Sequence, residues 1–322
     1  MDPFKIISPV SEQLSEVEQK LHDFSSNAEL PFLDELLTHA FNSQGKLARP
    51  ALTLLTSGFH EHNWDKVTTM AAAVEMLHIA TLIHDDTVDE AETRRGRITV
   101  SNKYGQHTAV LLGDYIFASS ATYVCDTGNI EVIKMFSQTI MDLSEGQIQE
   151  TANIKNLKTD INEYLHRIYL KTGSLFSTAG VSGAILSGAS DEQVKYIRKY
   201  SKNIGLAFQI IDDIFDLNKN ETQLGKPVGS DLINGVVTLP TLYAMENQDF
   251  KSLIKEFFKN TLDMSLHNEI TNYMNNSNAI ERSYDYAKQL IQSAKDSVEN
   301  LHHCDSKESL INLCDYIITR ND

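Results

Sequence analysis

Residues 67–89 read VTTMAAAVEMLHIATLIHDDTVD, and this stretch decides the fold. From Val67 to His84 the side chains are apolar or small except Glu75, His78 and His84. A run of this length without Pro or Gly predicts an α-helix buried on most of its sides. It ends in Asp85-Asp86-Thr87-Val88-Asp89. Carboxylates directly after a buried helix are costly unless a cation or a wet cavity meets them. Asp85 and Asp89 lie one turn apart and share a helix face. That face runs back through Leu82 or Thr81 to His78.

The pattern recurs at Asp212-Asp213-Ile214-Phe215-Asp216, after the apolar run GLAFQII. At this chain's aspartate frequency, chance yields about 0.1 DDxxD per chain, so two such clusters point to function over solvated surface. Gln209, Asp212 and Asp216 form a second stripe. Paired carboxylates at this spacing suit Mg²⁺, a hard cation that completes its shell with water and phosphate. Basic residues fall where a phosphorylated ligand needs them: Lys46 and Arg49 in GKLARP, Arg94 and Arg95 after the first cluster, Lys171 in LKTGSLF, and Lys226. Each alone reads as a surface charge. Together they supply the several donors that a diphosphate requires, with Arg suited to bidentate contact.

Outward from these motifs the chain reads as all-α. There are six prolines, and none lies between Pro50 and Pro227. Helical periodicity predicts helices over 10–25, 67–84, 108–124, 131–152, 160–187 and 193–217. Residues 218–240 read as one long functional loop. No linker or repeat divides the 322 residues, so a single domain of about ten or more helices is expected. A net charge of −16 argues against a nucleic-acid partner. Three cysteines without a CxxC indicate neither a disulfide framework nor a zinc site, and fit a reducing cytoplasm. No run reaches the roughly 18 apolar residues of a membrane span, so contact with a membrane would be peripheral.

The segment EMLHIATLIHDDTVDEAETRRG resembles the first aspartate-rich region of the trans-isoprenyl diphosphate synthase, or polyprenyl synthetase, family. GLAFQIIDDIFDL with LGKPVGSDLINGVVTLP resembles the second, GKLARP the family's GGKRxRP, and LKTGSLF its Lys-Thr motif. The resemblance runs over about residues 20–245. It implies the isoprenoid synthase fold, an antiparallel helical bundle around a central cavity, in one polyprenyl synthetase domain over 1–322. It also implies condensation of isopentenyl diphosphate with an allylic diphosphate by ionisation, condensation and elimination, with Mg²⁺ as cofactor.

By resemblance Asp85, Asp89 and Asp212 bind the metal, and Asp86, Asp213 and Asp216 support it. Arg94, Lys171, Thr172, Gln209 and Lys226 match positions that hold the allylic diphosphate. Lys46, Arg49, His78 and Arg95 match the isopentenyl diphosphate site. Gln147 matches a family glutamine near the second metal region. Gln44, Leu47 and Val236 depart from the family pattern. The last two each remove a polar group, which is expected to weaken diphosphate binding.

Ala80 and Thr81, five and four residues before Asp85, are small where short-chain members carry aromatic rings. They imply a long-chain all-trans product from farnesyl or geranylgeranyl diphosphate, of the kind that becomes a quinone side chain. The family implies a homodimer, or a heterodimer with a small non-catalytic subunit. The alternatives are a short-chain synthase of the geranylgeranyl type, a class I terpene cyclase, and the catalytic subunit of a heterodimeric synthase. A cyclase lacks the second substrate site offered by Lys46, Arg49 and Arg95. A purely auxiliary subunit would lack the aspartate clusters.

Overall fold

The computed structural model describes residues 6–26, 28–42, 45, 47–94, 96–218 and 229–320. Gln44, Lys46, Arg95, Lys226 and most of the expected loop therefore lie outside the described residues. A 3₁₀ turn at Ser8–Val10 leads into α1 (Ser11–Ser25), α2 (Pro31–Phe41), α3 (Ala48–Ser57) and α4 (Trp64–Val88). A two-stranded hairpin follows, β1 (Thr93–Arg94) paired antiparallel with β2 (Arg97–Ile98), its turn passing through Gly96 at φ +75°. Next come α5 (Val100–Tyr104), α6 (Gln106–Asp126), α7 (Ile130–Ala152), α8 (Ile161–Ile168), α9 (Ser174–Leu186) and α10 (Asp191–Asn218). The chain finishes with α11 (Ser230–Ile233), α12 (Leu239–Ala244), α13 (Gln248–Phe257), α14 (Met264–Asn276), α15 (Ala279–Glu299) and α16 (Asp305–Thr319). The fold is all-α, as the sequence implied, with the hairpin as its only strands among the described residues.

The helix that decides the fold is α4. The side chain of Asn63 accepts from the Asp65 N–H and starts it, and nearly every residue from Val67 to Ala80 is buried. It packs on α6, α3 and α1, while α10 packs on α15 and α9. Close approach is secured by glycine. A Cβ at Gly113 would lie 2.2 Å from His84 Nε2, and one at Gly183 of α9 would lie 2.1 Å from the Thr53 carbonyl of α3. One hydrophobic core runs through the bundle, from Val10 to Ile317.

The segment expected as one helix over 160–187 is α8 and α9 joined by a π-helical turn, Tyr169–Gly173. Within the expected loop, α11 and the start of α12 are helical.

The absence of long apolar runs needs correction. Both α4 and α6 are long and apolar enough to cross a membrane by length and composition, because their polar residues are mostly uncharged. In α4, 78% of the most apolar window is buried within the bundle, which identifies a core helix. In α6 the share is 33%. Its exposed apolar side chains, among them Val110, Leu111 and Tyr115, lie on the outside of the bundle.

Candidate active site

Both aspartate clusters sit in the last turns of their helices, Asp85 and Asp86 in α4 and Asp212, Asp213 and Asp216 in α10. The C-terminal end of a helix carries partial negative charge, so acids there are disfavoured by about 0.3–1 kcal/mol each. Cations are the natural complement.

The clusters meet at a cavity of about 730 Å³. Asp85 and Asp89 of α4 and Asp212 and Asp213 of α10 line it, and so do Lys171, Arg49 and Arg94. His78, Thr81, Gln147, Thr172, Gln209 and Val236 also line it. Two smaller spaces share its walls. One, of about 150 Å³, is bounded by His78, Asp86, Arg94 and the buried Glu75. The other, of about 290 Å³, runs between α4, α6 and α7 past Thr81 to Leu77, Phe117 and Ile140. Its wall is mostly apolar.

The aspartates divide by role. Asp86 is buried and accepts from Arg94 Nε at 2.7 Å. Asp213 is buried and accepts from the Tyr164 hydroxyl at 2.6 Å and from Gln209 Nε2 at 2.8 Å. Gln209 Oε1 in turn accepts from the Thr172 hydroxyl at 2.7 Å. This relay ties the π turn of 169–173 to α10 and sets Thr172 beside Lys171. Asp216 accepts from the backbone N–H groups of Ser230 and Asp231 and from the Ser230 hydroxyl, so it anchors the N-terminus of α11. Asp212 accepts from Arg320 at 2.5 Å.

Lys171 pairs with Glu150, and Arg167 donates to the Val237 carbonyl at 2.7 Å. Arg49 lies over the Phe176 ring, 4.6 Å from its centre. Gln147 Oε1 is buried without a hydrogen-bond partner among the described residues, ready to accept from a bound group.

Burial pushes the Asp85 carboxyl above its ordinary range; Lys171 opposes this and Asp89 adds to it. Asp213 rises to about 7 through burial, against the hydrogen bonds from Tyr164 and Gln209. Asp231 is raised well above the ordinary value by burial and by the neighbouring Asp216 and Asp213. Six carboxyl groups line the cavity against four Lys and Arg side chains. Among the described residues no three acids, histidines or cysteines converge tightly enough to hold an ion unaided. Carboxylates from two helices fit a hard divalent cation that keeps water and takes phosphate oxygens as further ligands.

The sequence reading placed Thr81 on the cavity side, and it lines both the main cavity and the apolar space. Ala80 is fully buried in the core and lines neither. Leu47 is also buried, at φ +49°, and does not line the cavity. Val236 does line the cavity. Glu150, Arg167, Tyr164, Asp231 and Arg320 were not singled out. Glu150 alone carried a usable signal, one helical turn after Gln147 on the same face.

Residues 30–274 match the family model described as Polyprenyl synthetase. A prenyl transferase of Synechocystis sp. is 37% identical over 294 residues, covering 90% of each chain. Heptaprenyl diphosphate synthase component 2 of Bacillus subtilis is 32% identical over 96% of this chain and 88% of its own length. Among solved structures, heptaprenyl diphosphate synthase from Staphylococcus aureus superposes with a TM-score of 0.92 at 32% identity, covering 97% of this chain and 98% of that one. A polyprenyl synthase from Caulobacter crescentus, complexed with calcium and isoprenyl diphosphate, gives 0.93 at 26% identity over 100% and 98% of the two chains.

Proposed function

The chain belongs to the polyprenyl synthetase family, and we propose that it extends an allylic diphosphate with isopentenyl diphosphate at the cavity between its two aspartate clusters. It is a prenyltransferase of the type that makes long-chain all-trans polyprenyl diphosphates. The observation that carries the site assignment is that both clusters line one cavity, together with Lys171 and Arg94.

Asp85, Asp89 and Asp212 are the carboxylates that would hold the divalent cation, which we take to be Mg²⁺. When bound, the metal neutralises the diphosphate leaving group and so lowers the barrier to breaking the allylic C–O bond. Lys171, Thr172, Gln209 and Lys226 bind and orient the allylic diphosphate, Arg94 adds charge from the hairpin, and Gln147 accepts beside the reacting carbons. Asp86 fixes Arg94, and Asp213 fixes Gln209. Asp216 holds α11 at the cavity edge. Lys46, Arg49, His78 and Arg95 hold isopentenyl diphosphate so that its double bond faces the allylic carbon. Fixed charges in a site that excludes bulk water favour ionisation, because they need no reorganisation as charge develops. The proton released in the last step goes to the departing pyrophosphate. The apolar space beyond Thr81 receives the growing chain.

We further propose a single domain over 1–322, supported by the one continuous core. A homodimer is supported by the apolar outer surface of α6 and α7, where Leu111, Met141 and Ile148 are exposed. A heterodimer with a small non-catalytic subunit is the second arrangement, since the Bacillus subtilis relative is named as one component of a synthase. Free Cys125, Cys304 and Cys314 fit a reducing cytoplasm, with the apolar product drawing the enzyme to a membrane surface. Incubation with Mg²⁺, labelled isopentenyl diphosphate and farnesyl diphosphate should yield products resolved as a long-chain series. A cyclised hydrocarbon, or no condensation with or without a partner subunit, would overturn this reading.

A further inference from the structure

Arg320 leaves the end of α16, where its N–H donates to the Tyr316 carbonyl at 2.8 Å and its backbone turns extended. Its side chain is 5% exposed and runs inward to α10. There one guanidinium nitrogen donates both to Asp212 Oδ1 at 2.5 Å and to the Phe208 carbonyl at 2.9 Å. The guanidinium lies 3.8 Å from the Phe208 ring centre and 5.5 Å from that of Phe215. Arg320 does not line the cavity, whereas Asp212 and Phe208 both do. A buried cation is retained only where its partners compensate the desolvation. Here the partners are a carboxylate of the second cluster and the carbonyl one turn before it.

We propose that Arg320 is a positioning residue for Asp212, holding this carboxylate at the angle from which it meets the metal. This rests on the assignment of Asp212 as a metal-binding residue. The guanidinium can act on metal binding in two opposed ways. Its charge lowers the pull of Asp212 on a second cation, and its hydrogen bond fixes the rotamer of a side chain that is 40% exposed. The charge effect is one part of a field that Arg49, Arg94, Arg167 and Lys171 also set from the cavity walls. The orienting effect is not shared by any of them. Orientation should therefore dominate, and loss of the guanidinium should weaken metal binding.

Arg320→Met keeps an apolar stem between Phe208 and Phe215 and removes the head group. Mn²⁺ binding in the presence of inorganic pyrophosphate, read from the free-ion electron paramagnetic resonance signal, needs no turnover. We expect R320M to raise the half-saturating Mn²⁺ concentration about tenfold, the loss of one charge-assisted hydrogen bond. Arg320→Lys should give a smaller rise, because an ammonium keeps the charge but not the planar fork. Unchanged or tighter Mn²⁺ binding by folded R320M would overturn the proposal, even if its melting temperature fell. Should R320M fail to fold by circular dichroism, R320K decides, and wild-type affinity there overturns it. Asp212→Ala separates the two levels: if it binds Mn²⁺ as wild type does, the metal assignment itself is wrong.

Discussion

Replacing Thr81 with phenylalanine should convert a long-chain synthase into a short-chain one. Thr81 lies one turn before Asp85, about 6 Å down α4 at 1.5 Å per residue. Leu77, the deepest α4 residue of the apolar space, lies about 12 Å down on the same count. An isoprene unit adds four chain carbons, whose zigzag bonds of about 1.5 Å advance about 5 Å. A ring at position 81 therefore blocks the path little more than one unit past Asp85, and Leu77 and everything beyond it is lost. Long-chain products should give way to short ones of about two to four units, at roughly 5 Å per unit. The ring has room, since Thr81 is only partly buried and borders two open spaces. Its hydroxyl donates to the His78 carbonyl at 2.7 Å, a local bond that the helix does not need. The assay is product length by reversed-phase chromatography of the dephosphorylated products, with the rate per condensation measured alongside. If T81F makes the wild-type length at the wild-type rate, the chain does not pass Thr81 and the channel assignment fails.

Asp85→Ala or Asp212→Ala should lose activity by orders of magnitude at saturating Mg²⁺ while keeping the helical circular dichroism spectrum, because each removes a carboxylate we assign to the metal; Asp212→Ala should also melt lower, since it strips the buried Arg320 of its partner. Arg49→Ala should raise the KM for isopentenyl diphosphate about ten- to hundred-fold and leave the allylic KM in place, as expected for one charge-assisted contact; an equal shift in both would dissolve the two-site assignment. Asp213→Asn should change how stability depends on pH in metal-free protein. The folded pKa of Asp213 is raised to about 7, so its neutral form contributes stability that is full below about 4 and is lost as pH rises through 7. Thermal melts from pH 4 to 8 should show D213N declining less than wild type across that window, and parallel curves would refute the assignment.

The two clusters were legible because carboxylates after a buried apolar run have few explanations, and the helices bearing them because their periodicity is strong. Thr81 was legible from the same helix geometry. Ala80 was not, because the helices packed on α4 decide that it is enclosed, and those contacts are non-local. The split of roles within DDxxD was hidden for the same reason. Asp216 anchors α11 across 14 residues, and Asp213 is claimed by Tyr164 from 49 residues away. The π turn was invisible because its composition, YLKTG, is compatible with an ordinary helix.

Ala80 also separates two ideas that the sequence joined. Both small residues before Asp85 imply a deep channel, yet only Thr81 borders one. A ring at position 80 would enter a packed core, where extra volume costs about 1–3 kcal/mol. Ala80→Phe should therefore lower the melting temperature, by about 2–4 °C per kcal/mol for a chain of this size. Any shortening of product in A80F would come from helices pushed apart, and would fade with temperature-sensitive loss of the rate per condensation. T81F should shorten the product at an unchanged melting temperature. If A80F shortened the product cleanly with no loss of stability, α4 would have to turn a different face to the channel, and Thr81, His78 and Asp85 would no longer share one.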